Sequence, residues 1–187
     1  MLTLLTRRTD VLKTERFFNT FWGDIVPLGL GQEQMTLLFA FLIGLFAGLR
    51  SLTPPAPVAW AVYLGWIKLA RPLSLIGSLP AVIILSLLAL GELIVDKLPN
   101  TPNRTAPLGL IARIVTGGLT GACVSVGGGR SAFVGAGLGL IGGIVGCFGG
   151  YQVRTRLVRS LRQPDLTVAL LEDLVAIAGS LFIVSRF

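Results

Sequence analysis

The chain contains no histidine and only two cysteines, Cys123 and Cys147. The first absence removes the commonest metal ligand and the side chain best suited to proton transfer near neutral pH. The second, with no CxxC pair, leaves no zinc knot and no dithiol redox centre, so neither a metal nor a cofactor is expected. Both cysteines fall in apolar, glycine-rich sequence, where a thiol packs as a small hydrophobe. Charge is scarce as well: Asp, Glu, Lys and Arg make up 13% of the 187 residues, about half the share usual in a soluble domain. Water is a poor solvent for such a surface.

Acids are the scarcer sign, nine against sixteen bases, for a net charge of +7. The bases sit mostly in the N-terminal segment and between apolar runs, where anionic lipid headgroups lie. The bilayer and its headgroups are therefore the expected partners, and nucleic acid is not. A GxSxG elbow is missing, and Gly127-Gly128-Gly129 leads into Arg130 without the Lys-Ser or Lys-Thr of a phosphate loop. No signal-peptide core forms either, because Arg7, Arg8 and Asp10 interrupt the first leucines.

What the chain has is apolar length and glycine. Hydrophobic residues make up 53%, glycines number 24 and mean hydropathy is +0.81, a composition suited to helices packed closely in lipid. The expected fold class is all-α: a polytopic membrane helical bundle of five to six hydrophobic elements. A single transmembrane domain is expected over residues 34–187, behind an extension over 1–33. The extension mixes Arg7, Arg8, Lys13 and Arg16 with Phe17, Phe18, Phe21 and Trp22, a pattern that fits an interfacial helix or a flexible tail.

Residues 35–49 carry no charge and stop at Arg50, after which Pro54, Pro55 and Pro57 interrupt the chain before apolar sequence resumes over 58–67. This first helix region is proline-broken, read as two short helices or one broken crossing. Residues 75–95 follow, closed by Glu92, Asp96 and Lys97, and the next run, 107–126, carries Arg113 near its start. Residues 131–150 are free of charge and hold Gly135, Gly139, Gly142, Gly143 and Gly146. Their four-residue spacings let a neighbouring helix approach closely, either within the chain or in a homo-oligomer. Arg154, Arg156, Arg159 and Arg162 crowd the next connection, and the last run, 166–185, contains Glu172 and Asp173.

A weak internal echo sets Glu92 against Glu172, eighty residues on, and Gly44 and Gly48 against Gly117 and Gly121. Three elements in each half would make an inverted repeat. The basic residues prefer five crossings and the repeat prefers six.

Two stretches carry a resemblance: Gly48-Leu49-Arg50-Ser51-Leu52-Thr53-Pro54, and Gly91-Glu92-Leu93-Ile94-Val95-Asp96-Lys97-Leu98-Pro99-Asn100-Thr101-Pro102-Asn103-Arg104-Thr105. They resemble the signature of bacterial integral membrane proteins grouped as domain of unknown function 4126, over about residues 36–185. The resemblance implies a multi-pass protein of the bacterial cytoplasmic membrane and brings no chemistry with it.

The candidate polar membrane site is Arg50, Glu92, Asp96, Glu172 and Asp173, with Arg50 joined to Glu92 and Asp96 as its strongest part. A charge in a buried run needs a partner or water. Lys97, Arg104 and Arg113 are candidates for drawing in anions. A small-ion or small-solute transporter or channel is the leading reading. A structural or accessory protein acting through glycine-rich packing is the alternative. A membrane hydrolase using paired carboxylates is the weakest, which leaves enzyme activity open.

Overall fold

The computed structural model describes residues 31–95, 107–161 and 165–187. Apart from residues 31–33, the extension expected at 1–33 lies outside them. Among the described residues the chain forms α1 (Gln32–Leu49), α2 (Pro55–Tyr63), a 3₁₀ turn (Leu73–Gly77), α3 (Leu79–Val95), α4 (Pro107–Gly127), α5 (Ala132–Leu161) and α6 (Asp165–Val184), with no strand. By length and composition α1, α4, α5 and α6 suffice to cross a membrane, while α3 is apolar but shorter. This is a helical membrane bundle.

Local chemistry explains where the helices stop. In a continued helix the rings of Pro54, Pro55 and Pro57 would collide with the carbonyls of Arg50, Ser51 and Thr53. Helix α1 therefore ends at Leu49, and the same prolines then occupy the cap and first turn of α2, where no amide hydrogen is needed. At the end of α2, Gly65 adopts φ 79°. That left-handed residue lets the Trp66 amide donate to Ala61 O at 2.9 Å and the Gly65 amide to Val62 O at 3.1 Å. Helix α4 closes the same way at Gly129, φ 75°, with Arg130 N donating to Ser125 O at 2.8 Å. Ser78 caps α3 by accepting the Ala81 amide at 3.4 Å.

Helix α5 departs from the expected boundary. The sequence placed its end at Gly150 with the arginines in a connection, yet the helix runs thirty residues, to Leu161. That is about 45 Å of helix against about 30 Å of hydrocarbon. Arginine is a good helix former and no breaker occurs before Pro164, so the charges leave the membrane without ending the helix.

Helix α5 lies between α1 and α4, its two most extensive neighbours. Gly44 faces Gly139, and Gly48 faces Gly143, Gly146 and Cys147, so α1 and α5 run parallel. Gly121 faces Gly135 and Gly117 faces Gly139, so α4 runs antiparallel to both. A Cβ on Gly121 would lie 2.9 Å from Gly139 Cα, and one on Gly143 would lie 2.9 Å from Arg113 O. Contacts this short leave room for hydrogen alone, so all five glycines singled out on α5 pack inside the chain. Cys123 and Cys147 are buried free thiols.

Beyond the seam, Ala40, Ile43, Val58, Val82, Val124 and Ile183 form one core from five helices. Ile67 reaches Gly127, and Phe187 packs edge-on to Phe39 at 6.4 Å. These contacts gather the start of α1 and the ends of α4 and α6 at one face of the bundle. The six helices alternate in direction, although α2, at nine residues, is too short to span. The first and third helices of the two halves are similar in length, 18 and 17 residues against 21 and 20, whereas the second differ, nine residues in one and thirty in the other. Described bases occur at both ends, with Lys68, Arg71, Arg130 and Arg186 at one and Arg154, Arg156 and Arg159 at the other, so charge selects no orientation.

Candidate functional site

The break between α1 and α2 is where the charged residues converge. Arg50 follows α1 directly, its amide donating to Phe46 O at 2.9 Å as a further helical turn would. Its side chain is completely buried and pairs with Asp173 of α6, whose side chain is 8% exposed. Asp173 lies eight residues into α6, about 12 Å from the helix start. The pair is therefore deep in the bundle.

Glu92, near the end of α3, grips the three residues that follow Arg50. Its Oε1 accepts the Ser51 amide at 2.7 Å and the Ser51 hydroxyl at 2.6 Å. Its Oε2 accepts the Leu52 amide at 2.8 Å, the Thr53 amide at 3.2 Å and the Thr53 hydroxyl at 3.3 Å. Three successive amides turned to one point form an anion-binding concavity, and here a carboxylate fills it. Both groups also suit the helix ends: the guanidinium sits at the negative C-terminus of α1, and the carboxylate at the positive N-terminus of α2.

Glu172 extends the charged region toward α5, with Arg154 Nη1 3.9 Å from its carboxylate and side-chain exposures of 19% and 9%. A half-open cavity of about 400 Å³ lies beside this pair, between α1, α5 and α6. Arg113 is buried in α4, and its carbonyl accepts the Thr116 hydroxyl at 3.3 Å.

Of the sequence candidates, Arg50, Glu92 and Asp173 meet at one joint, and Glu172 stands next to Asp173 on α6. Arg50 pairs with Asp173, the acid from the far end of the chain, while Glu92 binds the backbone after Arg50. Asp96, Lys97 and Arg104 lie outside the described residues. Arg113 belongs to the seam between α4 and α5. The sequence reading missed Ser51 and Thr53 as partners of Glu92, and Arg154 as the partner of Glu172. Small hydroxyl residues just before a proline-started helix were the available signal for the first two. Among the described residues no cluster of three metal-ligating side chains occurs.

The family described as Domain of unknown function (DUF4126) matches residues 37–185 of this chain. No curated protein and no solved structure matches it.

Proposed function

Because the chain belongs to this family, whose function is unknown, its own residues must supply the chemistry, and we propose that it is a transporter or channel for a small ion or small polar solute. The observation that carries this reading is the buried Arg50–Asp173 pair beside a carboxylate held in a broken-helix concavity. Charges at membrane depth are costly and belong to interiors that handle polar cargo. Irregular backbone at that depth persists only where protein or a water-lined cavity covers it.

Glu92 supplies an exchangeable element. Helix α3, which carries it, packs chiefly on α2 and the 3₁₀ turn. Most of its large side chains, Ile83, Ile84, Leu87 and Ile94 among them, face outward. A shift of α3 would withdraw the carboxylate from the Ser51–Thr53 donors and present them to a passing solute. The glycine seam does not favour the accessory reading, since its close approaches are made within the chain. A bacterial cytoplasmic membrane is the proposed location.

Reconstituted protein in sealed liposomes should move at least one solute from a panel of small ions and polar compounds, with and without a proton gradient. Glu92→Gln should lower that flux about tenfold or more while the protein keeps its helical spectrum and monodisperse elution. A well-folded wild type that moves nothing on the panel would remove the transport reading.

A further inference from the structure

Helices α5 and α6 are consecutive and antiparallel, yet α6 makes more of its contact with α1 than with α5. The space left between them is the cavity of about 400 Å³, within the range of roughly 300–1,000 Å³ typical of sites for small molecules. Its floor is bare backbone at Gly146, Gly149 and Gly150, and a Cβ built on Gly149 would meet nothing within 4 Å. Its walls are Leu and Val side chains, from Leu45, Val145 and Val175 at one end to Leu157 and Val168 at the other. Among the described residues the charged groups lining it are Arg154 and Glu172.

We propose that this cavity holds one anionic glycerophospholipid of the surrounding bilayer, with an acyl chain along the glycine floor and its phosphate at the Arg154 end. Length supports the apolar half. From Val145 to Leu157 helix α5 rises about 18 Å, close to one leaflet of a hydrocarbon core about 30 Å thick. Charge supports the polar half. Arg156 and Arg159 follow Arg154 on the emerging end of α5 without lining the cavity, so among the described residues this end of the helix carries an excess of base beside the Arg154–Glu172 pair. A phosphodiester balances that excess, and guanidinium is the side chain best shaped to hold it. The lipid reading does not depend on transport, although Glu172 lines this cavity and adjoins Asp173 of the charged joint.

The test is lipid retention. Wild-type protein in nanodiscs of equal phosphatidylglycerol and phosphatidylcholine, released into mild detergent, should keep one phosphatidylglycerol per chain in native mass spectrometry. That lipid should exceed retained phosphatidylcholine at least tenfold. Gly149→Phe, whose Cβ would meet nothing within 4 Å, fills the floor and should lose the lipid while keeping the wild-type unfolding temperature. Gly137→Phe, which also points into open space but away from the cavity, should keep it. Arg154→Gln should reduce the preference to below about threefold. Equal retention of the two phospholipids, a bound free fatty acid instead, no bound lipid, or undiminished binding in Gly149→Phe would each overturn the proposal. The wild-type preference alone decides the headgroup half, whatever the variants do.

Discussion

The glycine seam and the charged joint share α1 and solve opposite problems. In the seam, Gly44 and Gly48 of α1 and Gly117 and Gly121 of α4 press against α5 so closely that backbone meets backbone. One residue past the end of α1, Arg50 is buried against Asp173. The seam continues directly into the joint, since Gly48 and Leu49 lead to Arg50. The contrast teaches why they adjoin. A buried ion pair stabilises only while its geometry is held, because each partner has left water. An interface without side chains has no rotamers to rearrange, so it is a rigid base for such a pair.

The seam is the place to break that arrangement most severely. Gly139→Leu should cost more than about 3 kcal/mol, since the new side chain must displace backbone of α4 rather than a movable side chain. Loss of monodisperse, cooperatively unfolding protein is the expected readout, with Gly137→Leu, which has open space, near wild type. Stability unchanged in Gly139→Leu would show that the helices do not meet as described.

At the joint, Asp173→Asn removes the acid from Arg50, and leaving one buried charge without its counter-ion should cost about 3–5 kcal/mol. Adding Arg50→Met should recover most of that loss, which a chemical denaturation series on both variants and the double variant measures directly. Recovery would mean that stability does not require the pair and would leave function as its purpose. An additive double variant would instead mean that the two residues do not interact.

Glu92→Gln sharpens the comparison further. The amide retains one acceptor but turns its NH₂ toward donors, so the expected loss is about 1.5–3 kcal/mol, the worth of hydrogen bonds to a charged group. Hydrogen exchange should rise at the Ser51–Thr53 amides and remain slow along α5, and a uniform rise would argue against a local role. The smallest effect belongs to the exposed pair of Arg130 and Glu33, side chains 33% and 72% exposed. Glu33→Gln should change stability by less than about 1 kcal/mol, and by less still at high salt.

Much of the fold was legible along the chain. Long uncharged runs and three clustered prolines located the helices and the break, since bilayer thickness and backbone sterics act locally. The glycine spacings announced close packing without identifying the helix that approaches. The end of α5 was misplaced because a run of arginines reads as a membrane boundary and also continues a helix without strain. Gly65 went unremarked among 24 glycines, although its left-handed backbone ends α2, whereas Gly129, which ends α4 in the same way, stood in the noted run Gly127-Gly128-Gly129.

Composition and local pattern thus determined that this protein is helical, membrane-embedded, broken after Arg50 and dense in glycine, because hydropathy, proline geometry and the missing Cβ all act within a few residues. Only the tertiary structure decided that Arg50 meets Asp173, that Glu92 closes on Ser51–Thr53, and that α5 divides its glycines between α1 and α4. The two charged pairings join residues about forty to more than a hundred positions apart. Each depends on the directions and offsets of whole helices, which are set by which surfaces fit together and which carry no signature in the spacing of any one segment.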